Sequence, residues 1–350
     1  MTDREIARLI SRHEDFEFGL KVKAGNSISG WQCTNPFAGD LIRAVSTASE
    51  HQDAISYCYL EDDIELSRQI RQLHMELDAV LPQSVFCASG ATELLLSLCA
   101  FLSFKGIREL FYVPPLYFTV TYALRLLRIR PRPISARHPF EPEFSMNLPP
   151  RQTVLFLTDP IWYAGISIPK RVIDAVASWQ LDTQSTVIVD GSFQYMRWNG
   201  STEENTARLN PESTFRILCP TKSLAVHGYR FAYVLLPKDN LPDFARTHSN
   251  LHGSSNTSSL AFARQAISAL RERSITNQLV TLIAERHSAL RSKNRIGSSL
   301  QPDCTYFVFE RLNIGLPSSH GLMDGMFFEQ RRYPDHVRLN LLSPSIELIL

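Results

Sequence analysis

From about Leu66 to Asp239 the chain alternates short apolar runs with longer amphipathic stretches. "SVFCAS" (84–89), "ELFYVPP" (109–115), "TVLFLTDP" (153–160), "STVIVDGS" (185–192), "TFRILCPTKS" (214–223) and "RFAYVLLP" (230–237) are apolar runs of strand length that end in polar residues, glycine or proline. Runs of this kind read as strands buried on both faces. Between them, "TELLLSLCAFLSF" (92–104), "FTVTYALRLL" (118–127) and "IPKRVIDAVASWQL" (168–181) carry helical spacing. Strand and helix in alternation predict an α/β fold, with a mostly parallel sheet covered by helices on both sides.

The pattern changes near residue 240. A Ser/His/Asn-rich stretch, "THSNLHGSSNTSS" (247–259), precedes a long helical run to about Lys293, and "CTYFVFERL" and "HVRLNLL" read as two closing strands. Residues 1–35 read as a short helix and a polar, Gly-containing arm. The expected organisation is an arm (1–35) packing with a small α+β domain (241–350), and a large domain (36–240). No internal repeat or low-complexity tract interrupts it.

Bulk properties narrow the function. The chain has 350 residues, 44% of them hydrophobic, enough for a large core. The net charge is +1, from 36 basic and 35 acidic residues, so nothing electrostatic points to nucleic acid or an anionic membrane as partner. The densest basic run, "RLLRIRPR" (125–132), reads as a helix end and linker. No apolar run approaches the ~20 residues that cross a bilayer. The N-terminus is charged, without an apolar signal segment. The six cysteines, Cys33, Cys58, Cys87, Cys99, Cys219 and Cys304, contain no C-x-x-C pair. A reduced, cytoplasmic protein is expected, in which the N-x-S/T matches at Asn199 and Asn256 carry no meaning.

In open α/β sheets ligands bind beyond the carboxyl ends of the strands. The residues just past each proposed strand are therefore informative. After the first comes Gly90-Ala91-Thr92, opening a helix; after the second, Leu116-Tyr117; after the third, Thr158-Asp159-Pro160; after the fourth, Asp190; after the fifth, Cys219-Pro220-Thr221-Lys222; then Gly228 and Arg230. Singly, each has a plain structural reading: a helix cap, a turn aspartate, a solvated lysine. On one edge they supply a phosphate cradle, a ring to stack on, two carboxylates, an amine and a guanidinium.

"TKSLAVHGYRFAY" (221–233) resembles the lysine segment of class I/II aminotransferases, pyridoxal 5'-phosphate (PLP) enzymes of fold type I. Ala232 stands where that family usually has glycine. The resemblance spans about residues 57–343. It implies Lys222 as the Schiff-base lysine and Arg230 as a phosphate contact. "SGATELL" (89–95) is similar to the family's phosphate loop, implying Gly90, Ala91 and Thr92 as phosphate contacts. "PLY" (115–117) implies Tyr117 as the ring stacked on the pyridine, and "VIVDGSF" (187–193) implies Asp190 at the pyridine nitrogen. "VRLNLLSP" (337–344) implies Arg338 as the clamp for the substrate's α-carboxylate. Tyr59, or Tyr57, would match a tyrosine that reaches the partner subunit's phosphate in a homodimer. The implied reaction moves an amino group between an amino acid and a 2-keto acid.

Two family residues are missing. Trp162, in "DPIWYAG" (159–165), stands where an asparagine bonds the cofactor's phenolic oxygen, and Phe193 stands where a tyrosine does. Such donors tune the cofactor. Either the cofactor is re-tuned, or Tyr163 or Tyr195 supplies the hydroxyl. A specialised PLP reaction on the same fold (decarboxylation, elimination or oxidation) and a non-catalytic relic remain alternatives; the lysine, aspartate and arginine together speak against a relic.

Other signals are weaker. Cys219, where a phosphate-bonding hydroxyl often sits, reads as a buried thiol. His227 reads as a structural hydrogen-bonding group near the phosphate. His248 and His252 read as loop residues rather than a metal site. Ser255 and Asn256 are faint candidates for a partner-subunit contact. Trp162, Tyr163 and the arm at 20–35 are expected to shape the substrate pocket.

Overall fold

The apolar runs become the interior of one seven-stranded sheet. The computed structural model describes residues 27–50, 55–135, 137–141, 143–315, 322–328, 330 and 332–350; the helix expected at the start of the arm lies outside them. The strands are β1 (Ser84–Ala88), β2 (Glu109–Tyr112), β3 (Arg130–Pro133), β4 (Val154–Thr158), β5 (Thr186–Asp190), β6 (Thr214–Leu218) and β7 (Ala232–Leu236), in spatial order β1-β7-β6-β5-β4-β2-β3. β7 is antiparallel to both its neighbours, and the ladders β6-β5-β4-β2-β3 are parallel. The mixed sheet matches the expected mostly parallel one.

Period-two alternation within the strands sorts two helix layers. Val154, Phe156, Ile188, Phe215 and Ile217 face one side, joined by Leu94, Leu98 and Phe101 of α3 (Ala91–Phe104), by Val120 and Leu124 of α4 (Phe118–Leu126) and by Phe244 of α6 (Leu241–His252). Leu155, Leu157, Val187 and Val189 face the other side, against Val172, Ile173 and Val176 of α5 (Lys170–Thr183). Strands covered on both faces need no polar alternation, so their sequences run apolar throughout. Each fully buried aliphatic contributes about 1.5–3 kcal/mol.

Three sequence expectations are corrected. Arg130–Pro133, within the run expected as a linker, is an edge strand parallel to β2. Prolines are tolerated on an edge strand, which pairs on one side only. His248 and His252, expected in a loop, lie on α6, where the His248 Nδ1 meets Ser97 Oγ at 2.9 Å. The long run to Lys293 is two helices, α7 (Thr257–Glu272) and α8 (Ser274–Ser292), broken at Arg273 in the left-handed region (φ 61°). The sequence pattern assigns no element to α1 (Gly39–Glu50) and does not define the start of α2 (Ile64–Leu77).

The smaller sheet has the antiparallel order β10-β11-β9-β8, from β8 (Ile296–Gly297), β9 (Phe307–Leu312), β10 (Met323–Asp324) and β11 (His336–Asn340). The described end of the arm runs along β11. Asn340 N donates to Ile28 O at 2.7 Å, Thr34 N to Leu342 O at 2.7 Å, and Asn340 Nδ2 to Gly30 O and Gln32 O, each at 2.9 Å.

A polar network crosses the core beside the large sheet. Arg216, on β6, donates to Asp78 Oδ2 at 2.5 Å, to Gln194 Oε1 at 2.6 Å and to Tyr195 Oη at 2.9 Å. His74 Nδ1 meets the same Asp78 oxygen at 2.7 Å. Losing one partner of such a buried pair costs about 3–5 kcal/mol, because the other charge is left uncompensated. At its edge lie two buried carboxyls. Burial, and then the nearby Asp159, push Glu204 up to about 8, against the pull of Arg197. Burial pushes Asp159 up to about 6.

These shifts set a pH dependence. A carboxyl with a raised pKa in the folded state holds a proton that the unfolded chain releases, so its stabilising contribution is present at low pH and falls as pH rises through the folded value. Between about pH 5 and pH 8, Glu204→Gln is therefore expected to lose less thermal stability than the wild type, as read by Tm across that range. Parallel curves would remove Glu204 as a titrating group.

Candidate active site

The candidate residues meet at the carboxyl ends of the parallel strands. β1 ends at Ala88, and the chain turns through Gly90 at φ 131° and ψ 159° into α3. Only glycine adopts that conformation at low cost. The amides of Ala91 and Thr92 thus open a helix, where N–H groups lack helical partners and the dipole favours an anion. A Cβ on Gly90 would stand 2.7 Å from Arg230 Nη2. The guanidinium therefore rests against this turn, and the two together form the cradle that suits a phosphate.

Asp190 is the last residue of β5 and is buried. Ser192 donates to its Oδ1 from N at 3.2 Å and from Oγ at 2.5 Å. Burial raises the Asp190 pKa, while these donors and the charge of Lys222 lower it. Lys222 lies on the single helical turn Pro220–Ser223 that follows β6, its amide bonded to Cys219 O at 2.8 Å. Its Nζ lies 4.4 Å from the centre of the Trp31 ring and 5.7 Å from that of Phe193. Burial lowers its pKa, favouring the neutral amine, and Arg230 and Arg338 push in the same direction.

One cavity of about 50 Å³ joins these groups; its walls include Ala91, Thr92, Tyr117, Trp162, Asp190 and Lys222. Gly90 and Arg230 stand together at the α3 end of that wall. The remaining walls are Trp31, Leu95, Ser192 and Phe193. Of the groups expected past the strand ends, Ala91, Thr92, Tyr117, Asp190 and Lys222 line this cavity, and one carboxylate does not. Asp159, the second carboxylate, points into the protein, where its Oδ1 accepts from Ile168 N at 2.7 Å and holds the loop that carries Trp162. Gly165 in the same loop has φ 66°, and a Cβ there would meet Phe307 O at 2.5 Å. This close approach seats Trp162 against the small sheet.

Neither tyrosine offered as a substitute hydroxyl lines the cavity. Tyr163 Oη accepts from Gln330 Nε2 at 2.6 Å, and its ring stacks on Phe328. Tyr195 Oη donates to Asp78 at 2.8 Å. The wall at the two family positions is an indole and a phenyl ring.

Arg338, at mid-β11, is fully buried and does not line the cavity. Its Nε and Nη2 donate to Ser29 O at 3.0 and 2.6 Å. Tyr57 and Tyr59 lie elsewhere, on a surface groove shared with Cys58, Thr257 and Arg264. Ser255 joins that groove by pairing its amide with Cys58 O at 2.7 Å, and Asn256 caps α7 through Ser259 N. His227 Nε2 meets Tyr306 Oη at 3.0 Å. Cys219 is buried, with its Sγ 3.1 Å from Thr221 Oγ1. The sequence expected a hydrogen-bonding histidine and a buried thiol at these two positions.

Trp31, Ser29 and Ser192 were not singled out in the sequence. Only the arm around the first two was. No periodicity marks them: Ser29 and Trp31 gain their meaning from Arg338 on β11, far away in sequence, and Ser192 from its bonds to Asp190, the last residue of β5.

No protein-family model matches the chain, and no curated protein matches it in sequence. Solved structures do match its fold. It is similar to N-succinyldiaminopimelate aminotransferase from Mycobacterium tuberculosis (TM-score 0.76, 15% identity, 97% of this chain and 95% of that one). It is similar also to aspartate aminotransferase from Rhizobium meliloti (TM-score 0.74, 16% identity, 99% and 94%). A protein from Escherichia coli with a methionine aminotransferase function matches as well (TM-score 0.72, 16% identity, 97% and 96%). The fold is that of class I aminotransferases, fold type I of PLP-dependent enzymes.

Gly90→Ala would force the Arg230 guanidinium off the turn and strain the backbone. It is expected to weaken binding of PLP about tenfold, or about 1.4 kcal/mol, by equilibrium titration. An unchanged affinity would show that the turn holds no phosphate.

Proposed function

We propose that this protein is a PLP-dependent aminotransferase that exchanges an amino group between an α-amino acid and a 2-keto acid. The observation that carries the reading is the convergence of Lys222, Asp190, Tyr117 and the α3 N-terminus on one cavity, at the strand ends of an aminotransferase fold. The donor set fits PLP: a cradle at Gly90 that a Cβ would fill, a buried carboxylate, a ring and a buried amine.

When bound, PLP supplies an electron sink for negative charge at the substrate's Cα. The amides of Ala91 and Thr92, the Thr92 hydroxyl and Arg230 would hold its phosphate. Tyr117 would stack on the pyridine, and Asp190 would keep the ring nitrogen protonated. Ser192 would serve that task by lowering the Asp190 pKa, against the larger upward push of its burial. Lys222 would attach the cofactor, with burial favouring the nucleophilic neutral amine, and the same amine would serve as the base for the proton at Cα. Arg338 would take the α-carboxylate through its two-pronged fork. Trp31, Trp162 and Phe193 exclude water from the reacting atoms.

A homodimer fits the surface. Ile55, Tyr57 and Ile64 are exposed at 99%, 83% and 85% beside the Tyr59 groove, and a second copy would cover this apolar patch. Tyr57 or Tyr59 would then reach the partner's phosphate. The six unpaired cysteines suit a reducing compartment such as the cytoplasm. Among the described residues no helix is long and apolar enough to cross a membrane.

One observation favours a second reading. Phe193 and Trp162 leave the cavity without the two family donors to the cofactor's phenolic oxygen, which suits a PLP enzyme that diverts the substrate into elimination, decarboxylation or oxidation.

The visible spectrum of the protein with PLP decides the core of this. The wild type should show a bound-cofactor band that Lys222→Ala lacks. Addition of an amino-acid pool should release 2-keto acids, and a second keto acid should be aminated in turn. Keto-acid release with no amination of an acceptor would support the second reading; a band that survives Lys222→Ala would overturn both. Asp190→Asn should keep the band and lower turnover by about 100-fold, within the range for a charged group that supports proton transfer. Turnover within a few-fold of wild type would remove Asp190 from the ring nitrogen.

A further inference from the structure

Two carboxyls that the proposed reaction leaves unused anchor the loop that carries Trp162. Asp159 and Glu204 are both buried. Asp159 opens the loop from β4 to α5. Its N donates to Asp190 O at 3.1 Å, its O accepts from Gln194 Nε2 at 3.0 Å, and its Oδ1 accepts from Ile168 N at 2.7 Å. Glu204 lies on the connection from β5 to β6, and its Oε1 accepts from Tyr195 N at 2.6 Å. Two bridges bring these residues together. Gln194 Nε2 donates to Asp159 O and also to Thr206 Oγ1, at 2.8 Å. Asn205 Nδ2 donates at 2.9 Å to the carbonyl of the same Ile168 that holds Asp159. Each carboxyl has one oxygen on a backbone amide. The other oxygens, Asp159 Oδ2 and Glu204 Oε2, are buried and receive no hydrogen bond from the described residues. Arg197 Nη2 stands 3.7 Å from Glu204 Oε2, beyond hydrogen-bonding reach, and its guanidinium is engaged by Glu203 O and Asp303.

We propose that Asp159 and Glu204 share one proton, the Glu204 Oε2 hydroxyl donating to Asp159 Oδ2, and that this bond latches the Trp162 loop to the turn beyond Asp190. One proton serves both bare oxygens. It makes one a donor and leaves the other an anionic acceptor, and such a charge-assisted bond is of the strong kind. Two ionised carboxyls in the same buried place would instead repel each other. The pair faces Arg197 and Tyr195 on the β5–β6 connection, Arg216 on β6, Arg273 between α7 and α8, and Asp303 and Cys304 ahead of β9. Arg216 is committed to Asp78, Gln194 and Tyr195. Burial pushes the Tyr195 phenol and the Cys304 thiol up, so both stay neutral. Burial, and then Asp159, push Glu204 up to about 8, while burial pushes Asp159 up to about 6. Between those values the pair holds its single proton. As pH rises through the upper value the proton leaves, two anions face each other, and the Asp159 anchor shifts. Trp162, a wall of the cavity, moves with it.

The test uses the full-length protein with its four tryptophans replaced by fluorotryptophan and read by fluorine NMR, the Trp162 resonance being assigned through Trp162→Phe. Between about pH 7 and about pH 9 the wild-type Trp162 resonance should shift with a midpoint at about 8, and the infrared difference spectrum should lose a protonated carboxyl. Carbon-isotope labelling of glutamate should move that carboxyl band, a readout that needs no variant. Glu204→Gln and Asp159→Asn each place a permanent N–H donor between the two side chains. Both should keep the wild-type circular dichroism and abolish the shift and the lost carboxyl. A wild type with no protonated carboxyl to lose, a band that glutamate labelling leaves in place, or a Trp162 shift that survives in either variant overturns the latch. None of these readouts depends on PLP, so the latch can fail while the aminotransferase reading stands, and the reverse.

Discussion

The buried guanidinium of Arg216 is the constraint on which the geometry of the site depends. A charge at mid-strand in a sheet covered on both faces is expensive to desolvate, and here it is matched by three acceptors, from Asp78, Gln194 and Tyr195. Those acceptors belong to the end of α2 and to the turn beyond Asp190. Gln194 passes the constraint on: its Nε2 donates to Asp159 O at 3.0 Å, and its own carbonyl accepts from Ser223 Oγ at 3.1 Å. One cation therefore ties the ends of β4, β5 and β6 to the turn that bears Lys222. Asp190 and Lys222 face the same cavity because the chain between them is bound to a single centre in the core.

The same economy separates rigid parts from movable ones. The groups assigned to the cofactor stand on strand ends and the first turns of helices, where ladder hydrogen bonds and apolar layers fix them. The groups assigned to the substrate, Arg338 and the residues that cover it, stand on the small sheet and the arm. There the contacts are aromatic faces and a few backbone hydrogen bonds. A site built this way can hold its cofactor continuously and still exchange substrates.

The same division sets how much was legible in the sequence. Strands β1, β2 and β4–β7 were readable because both faces are buried, which leaves uninterrupted apolar runs. The polar residues after them were readable because α/β sheets bind at that edge. The helix α1 was not, since only Leu41 and Val45 of its residues are buried, too few to set a period. β3 was hidden by Pro131 and Pro133, which argue against any strand but one at an edge. His248 and His252 were hidden by the Ser, Gly and Asn around them; the buried Ser97 that receives His248 across the layer is visible only once α3 is placed beside α6. Ser29 and Trp31 were out of reach because their partners lie some 300 positions away on β11.

The two departures from the family pattern acquire a physical meaning in this setting. Phe193 and Trp162 are not isolated losses of hydrogen-bonding groups. Phe193 meets Tyr306 and Phe307 edge-on, and Trp162 meets Trp31, Tyr117 and Phe328, so both belong to a continuous aromatic lining that reaches from Lys222 to Arg338. Such a lining lowers the local dielectric around the amine and the guanidinium. Each charge then matters more to the other: burial holds the Lys222 amine toward its neutral form, Cys219 and Cys33 pull against it, and Arg230 and Arg338 add to the effect of burial. A neutral lysine is what a nucleophile and a proton carrier need at ordinary pH. On the proposed reading, desolvation and neighbouring positive charge would activate Lys222 without the hydroxyl and amide donors that Phe193 and Trp162 replace. On the same reading, a substrate carboxylate at Arg338 would offset part of that positive field and make the Lys222 amine more basic, so that Arg338 would both hold the substrate and prepare the base that acts on it.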